Sequence, residues 1–218
     1  MLQRISREFI ILEEESELRK LRKEGWGDMW LYEGIIRILD EKGPLPISSL
    51  YNEASKLFVN AGIEPNQSDI YSAVNKKQEL FWINKGLISI QPSKQPVYLS
   101  VYAEMPGIGA YQLRVDFIKG YFTAIEWRDI DNPRFPSNTE PKTPGDMAFF
   151  KTRVYRSAIW NWDKHYLPGE GIVLDGFNWT VNMKTVTGIY TCSGTNKYPA
   201  KWNILCRGIR ELTGYPFG

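Results

Sequence analysis

Apolar residues recur with two different periods along the chain, one helical and one extended. Leu2, Ile5, Phe9 and Leu12 are spaced three, four and three apart, on one face of a charged helix over about 2–23. Glu13, Glu14 and Glu15 stand ahead of Arg19, Lys20, Arg22 and Lys23, close enough for i,i+4 ion pairs. This N-terminal segment, residues 1–24, is read as a helix folded back on its own domain. Docking or dimerisation is its functional alternative. A second helix is expected from Asp28 to about Asp40, with Trp30, Leu31, Ile35, Ile38 and Leu39 as its stripe and Gly43-Pro44 as its stop. A third opens at Pro46-Ile47-Ser48-Ser49, buries Leu50, Ala54, Leu57 and Phe58, and closes at Gly62. A fourth starts at Gln67 or Ser68, with Ile70, Ala73, Val74 and Leu80 facing inward. Then Phe81-Trp82-Ile83, Asn84-Lys85-Gly86 and Leu87-Ile88-Ser89-Ile90 read as strand, tight turn and strand, with Asn and Gly supplying the positive φ of the turn.

From Val97 the period becomes two. Val97–Tyr102, Tyr111–Asp116 and Tyr121–Trp127 read as antiparallel strands, separated by turns at 105–109 and 119–120. Residues 129–146, with prolines at 133, 136, 141 and 144, read as a long exposed loop. Met147 to Trp162 is expected to be helical, 175–186 and 188–193 a further hairpin, and Pro199 to Leu212 a closing helix. The expected fold class is α+β: a winged helix over 25–91, then a mixed, mainly antiparallel sheet of about five strands with covering helices over 97–218. Gln91-Pro92-Ser93-Lys94-Gln95-Pro96, with two prolines, suits a connector between them.

Composition narrows the function. The chain has 218 residues, 27 Lys+Arg against 25 Asp+Glu, one His and two Cys. Residues 1–90 carry 12 basic and 14 acidic side chains, a net −2; the remaining 15 and 11 give the second half +4. No run approaches the ~18 apolar residues of a membrane helix, so no membrane partner is expected. The N-terminus lacks the apolar core of a signal peptide, which points to the cytoplasm and to reduced Cys192 and Cys206. With His165 the sole histidine, two-His metal motifs fall away.

Two stretches resemble known domains. Gly43-Pro44-Leu45-Pro46-Ile47-Ser48-Ser49-Leu50-Tyr51-Asn52-Glu53-Ala54 looks like the "G-K-P-L-x-x-x-E-I" stretch of the HARE-type helix-turn-helix domain. Ile70–Val74 and Leu80–Ile90 are similar to that family's last helix and wing, so the resemblance covers roughly residues 28–90. It implies a winged helix of a kind that binds DNA in some members and other proteins elsewhere, and the chain as a whole is read as prokaryotic or phage-type. Further on, Trp160-Asn161-Trp162, Tyr166, Leu174-Asp175-Gly176-Phe177-Asn178-Trp179 and Ser193–Pro199 resemble a domain of uncharacterised bacterial proteins. Its motifs are W-x-W, L-D-G-x-x-W and G-S-N-x-Y-P, and the resemblance assigns no activity.

Three chemistries are weighed on these residues. A DNA-reading winged helix would present Asn66, Gln67, Ser68, Ser72, Asn75, Lys76 and Lys77 on its last helix, with Lys85 at the wing tip: amides for adenine edges, lysines for phosphates. The Trp-rich motifs are read first as an aromatic core. The sharper reading is a pocket for a small ligand, lined by Trp160, Trp162 and Trp179 with Asp175, Asn178 and Asn196 as polar contacts. Asp116 and Glu126, followed by Arg128, have the spacing of the D…E-x-K site of restriction-type endonucleases, where two carboxylates hold Mg²⁺. Arg128 replaces the lysine, and arginine does not readily serve as a base. His165 with Ser157 or Ser193 and Asp163 lacks a nucleophile-elbow motif, and there is no P-loop or dinucleotide fingerprint. The leading expectation is a non-enzymatic nucleic-acid-associated or assembly protein without a cofactor. Its winged helix docks to nucleic acid or protein, its C-terminal domain adds a second binding surface, and residues 1–24 offer a route to a partner or homodimer. The alternatives are a Mg²⁺-dependent endonuclease and a small-ligand-sensing regulator.

Overall fold

The computed structural model describes residues 27–59, 65–105, 109–128, 143–168, 176–215 and 217. The expected helix over 2–23, most of the proline-rich loop and Asp175 lie outside the described residues. The protein is α+β, and its chain divides between Gln91 and Pro92 into two compact units.

The first unit runs α1 (Gly27–Lys42), β1 (Leu45–Pro46), α2 (Ile47–Val59), α3 (Gln67–Asn75), β2 (Phe81–Asn84) and β3 (Leu87–Ile90). Helix α1 buries Leu31, Ile35, Ile36, Ile38 and Leu39, a wider stripe than the sequence spacing required. It ends at Gly43, whose positive φ lets its N–H reach the Leu39 carbonyl. Gly34 sits against the Phe58 ring where a Cβ would collide, which lets α1 and α2 approach closely. Leu50, Ala54 and Phe58 recur every four residues and face inward, whereas Leu57, expected inside, is exposed one position off that stripe. Helix α3 is closed by a capping box: Asn66 Oδ1 accepts from the Asp69 N–H, and Asp69 Oδ2 from the Asn66 N–H, both at 2.9 Å. Leu80 is buried as expected, but from the turn after α3.

Strands β1, β3 and β2 form an antiparallel sheet in that order, giving a helix–strand–helix–helix–hairpin order in which the β2–β3 hairpin stands where the wing was expected. Strand β1 was not legible in Leu45-Pro46, because two residues carry no period. The hairpin turn is Lys85-Gly86, with φ of 49° and 77°, rather than a turn begun by Asn84; Asn84 pairs with Leu87 as the last residue of β2.

The second unit holds β4 (Pro96–Met105), β5 (Gly109–Asp116), β6 (Tyr121–Arg128), α4 (Met147–Ser157), a 3₁₀ turn (Ile159–Asn161), β7 (His165–Tyr166), β8 (Asn178–Thr185), β9 (Ile189–Thr195) and α5 (Trp202–Thr213). Its sheet has six strands in the order β6-β5-β4-β8-β9-β7, antiparallel except for β7, which runs parallel to β9. Five strands were expected; His165-Tyr166 is too short to show alternation. One face carries Leu99, Val101, Ala103, Leu113, Val115, Val181, Met183 and Cys192, all buried. The core is completed by Phe150, Val154 and Tyr155 of α4 and by Leu205, Cys206, Ile209 and Leu212 of α5. Gly208 on α5 lies where a Cβ would come 2.9 Å from Arg153 Cβ, so these two helices touch closely. Helix α4 stops at Ser157 instead of running to Trp162, since Ala158 adopts left-handed dihedrals and starts the 3₁₀ turn. The connector is also shorter than its prolines suggested. The Ser93 carbonyl accepts from the Tyr190 hydroxyl at 3.0 Å, and Lys94 Nζ lies over the Trp160 and Tyr190 rings at 5.4 and 5.5 Å.

Candidate functional site

Strand register decides the carboxylate pair. Asp116 lies opposite Tyr121, whereas Glu126 lies opposite Tyr111, so the two are five register positions apart, about 17 Å at ~3.3 Å per residue. They also point to opposite faces: Glu126 shares the face of buried Tyr111, Leu113 and Val115, and Asp116 shares that of Arg114 and Tyr121. Asp116 Oδ1 accepts from the N–H groups of Ile118 and Lys119, at 3.0 and 2.8 Å, and so holds the β5–β6 turn. The structure therefore does not bring Asp116 and Glu126 to one ion. Arg128 pairs with Gly109 at the end of β6, and its side chain is outside the description. Among the described residues no group of three or more His, Cys, Asp and Glu side chains is placed to hold a metal.

Trp162, Trp179 and Trp202 pack on one another. Trp179 and Trp202 are buried with ring centroids 4.5 Å apart, and Trp162, Tyr166, Tyr198 and Phe217 extend the cluster. Their polar edges are tied to backbone: Trp179 Nε1–H donates to the Lys197 carbonyl and Trp162 Nε1–H to that of Ser157, both at 2.9 Å. Gly194 faces Trp179 across the β8–β9 pair, and a Cβ there would lie 2.7 Å from the indole. Asn196 Oδ1 accepts from the Phe177 N–H at 2.8 Å and shapes its loop in a left-handed conformation. Asn178 accepts from Thr195 Oγ1 at 2.7 Å, on the sheet face opposite to Trp179. Trp160 is buried beneath Lys94, with an indole N–H that has no hydrogen-bond partner. These residues are spread over two faces of the sheet and a loop, and the aromatic-core reading describes them better than a ligand cleft.

Burial pushes the Cys192 thiol up to about 11 and that of Cys206 to about 12. His165 Nδ1 lies 3.2 Å from Ser193 Oγ on the sheet face away from the helices, while Ser157 is buried and donates to the Val154 carbonyl. The backbone N–H of Asp163 donates to the Tyr166 hydroxyl.

On the first unit the α3 residues divide by role. Gln67, Ser68 and Ser72 are exposed; Asn66 is spent on the cap; Asn75 is half-buried at the helix end. Lys76 is exposed just past the helix, and Lys77 is half-buried with Nζ 5.6 Å over the Tyr32 ring. Lys85 is exposed at the wing tip. A feature not singled out from sequence lies on the wing. Register puts Phe81, Ile88 and Ile90 on the buried face, and Trp82, Ser89, Asn84, Leu87 and Pro46 on the outer one. Trp82 is 52% exposed and Leu87 42%, on diagonal positions of the hairpin, where side chains reach one another. The signal was available: a two-residue turn fixes which residues alternate outward. No family model, no curated protein and no solved structure matches the chain. No helix among the described residues is long and apolar enough to cross a membrane.

Proposed function

We propose that the protein is a non-enzymatic assembly factor whose winged-helix unit docks a protein partner through the outer face of its wing. The observation that carries this reading is the exposed Trp82–Leu87 pair, flanked by exposed Pro46. A half-exposed tryptophan beside aliphatic neighbours is the kind of anchor that dominates protein interfaces. The resemblance of residues 28–90 to the HARE-type domain supports it as far as that family includes protein-docking members.

Charge arithmetic weighs against nucleic acid as the main partner. Around α3 and the wing stand Lys76, Lys77 and Lys85, opposed by Asp69 and Glu79. Three phosphate contacts from these lysines give a salt slope near −3, against about −5 to −9 for proteins making 6–10 contacts. Exposed Gln67, Ser68 and Ser72 can still touch base edges, but without enough phosphate anchoring to position them. The test is anisotropy of labelled duplex and single-stranded DNA against salt. Binding weaker than ~10 µM at physiological salt, with a slope no steeper than about −3, is expected. Nanomolar, steeply salt-dependent binding that Lys85→Ala weakens would replace the protein-docking reading with the nucleic-acid one.

A further inference from the structure

We infer that a second copy of this chain pairs with the outer edge of β6, joining two six-stranded sheets across a two-fold axis. Strand β6 ends the sheet, and among the described residues no strand pairs with its far side. The opposite edge strand, β7, has two residues, which is one of the ways proteins blunt an edge. Strand β6 has eight, Tyr121–Arg128, with no proline, no lysine and no register shift against β5. Its outward-alternating residues on the face away from the helices are Tyr121, Thr123, Ile125 and Trp127, of which the three large apolar ones are exposed at 52%, 46% and 43%. A long, regular edge with an apolar stripe is a template for another strand.

The sequence of β6 is complementary to itself. In an antiparallel pairing centred on Ala124, Tyr121 of one copy faces Trp127 of the other, and Thr123 faces Ile125, each pair occurring twice. Cross-strand pairs of aromatic residues, and of β-branched residues, are the stabilising kind. On the other face Glu126 meets Phe122, so no two carboxylates stand opposed. The pairing is reciprocal, each contact of i with j being matched by one of j with i, as an isologous interface requires, and it leaves each copy's buried face continuous with that of its partner. A peptide from another protein would meet the same edge without this reciprocity.

Area sets the strength. The exposed parts of one Tyr, one Ile and one Trp come to on the order of 300 Å² per copy, with the strand's backbone edge in addition. A stable interface buries about 800 Å² per partner. The pair is therefore a weak, reversible dimer rather than a permanent one, and each dimer carries two wings.

Sedimentation velocity of the full chain from ~5 to ~500 µM reads this directly, with far-UV circular dichroism to check folding. A monomer–dimer equilibrium is expected. Ile125→Lys and Trp127→Lys should each raise its dissociation constant at least tenfold. Ile189→Lys, an exposed position on the same sheet face but on β9, should leave it within twofold. Under mild oxidation Ala124→Cys should cross-link into a reducible dimer, since both native thiols are buried. A chain that stays monomeric to ~500 µM overturns the proposal, whatever segment then covers β6. So does a dimer indifferent to Ile125→Lys and Trp127→Lys, or one equally weakened by Ile189→Lys.

Discussion

Replacing Gly194 with alanine separates a filled aromatic core from a ligand cavity. Gly194 sits in β9 opposite Trp179 with no positive φ, so its backbone tolerates any residue and only side-chain space is at issue. The new Cβ would stand 2.7 Å from Cε2, Cζ2 and Nε1 of Trp179, closer than carbon atoms approach without something moving. The indole cannot move freely. It donates to Lys197 and is hemmed by Trp202 at 4.5 Å, Tyr166 at 5.7 Å and Trp162 at 6.2 Å. Overpacking of this kind costs about 1–3 kcal/mol, and loss of the indole hydrogen bond about 1 more. The reduced freedom of the unfolded chain returns ~0.4–1 kcal/mol. The net expectation is a destabilisation of about 1–3 kcal/mol, or roughly 4–12 °C in Tm for a unit of this size. Urea unfolding followed by tryptophan emission and near-UV circular dichroism measures it. A change within ~0.5 kcal/mol of zero would mean that a methyl group fits beside Trp179, and would return the cluster to the ligand-pocket reading.

Asp116→Ala should cost about 1 kcal/mol by freeing the Ile118 and Lys119 N–H groups of the β5–β6 turn, read by thermal denaturation. Glu211→Gln should cost ~0.5–1.5 kcal/mol, because Glu211 receives Arg153 from α4 at 3.2 Å and Arg207 from its own helix at 2.8 Å; the assay is the urea midpoint at low and high salt. Neither thiol should react with a disulfide reagent at pH 8 in the folded protein, and both should react after unfolding. The same shifts give a pH dependence. Folded Cys192 and Cys206 keep their protons to about 11 and 12, while unfolded thiols lose theirs near 8.5, so stability falls as pH rises above about 9. Urea midpoints at pH 7 and 10 would check that sign.

Long periodic segments were legible in the sequence, and short or register-dependent features were not. The spacing of Leu31, Ile35, Ile38 and Leu39 was enough for α1, and Asn66 with Asp69 was there to be read as the capping box that fixes the start of α3. Strands β4, β5 and β6 followed from alternation alone. Strands β1 and β7, of two residues each, exist only because β3 and β9 offer edges to pair with, a tertiary fact. The break at Ala158 came from a left-handed alanine that no propensity favours. The candidate site divided in the same way. The Asp116–Glu126 spacing named residues on successive strands, but the β5–β6 register sets their face and their separation. The Trp-rich motifs are read first as a core with a ligand pocket as the alternative, because tryptophan serves interfaces and cores alike; the burial of Trp179 and Trp202 favours the core. Trp82 and Leu87 were legible as strand residues and became a candidate surface once the Lys85-Gly86 turn fixed the register.

Site-specific photo-crosslinking in the cell of origin tests the docking claim most directly. A photoreactive phenylalanine analogue is placed at Trp82, at Leu87 and, as a control, at exposed Ile189. The account predicts one protein adduct of the same mass from positions 82 and 87, absent from position 189, and lost from position 82 when Leu87→Lys is added. Adducts from the wing that are destroyed by nuclease, or a wing that yields none beyond those formed at Ile189, would contradict it.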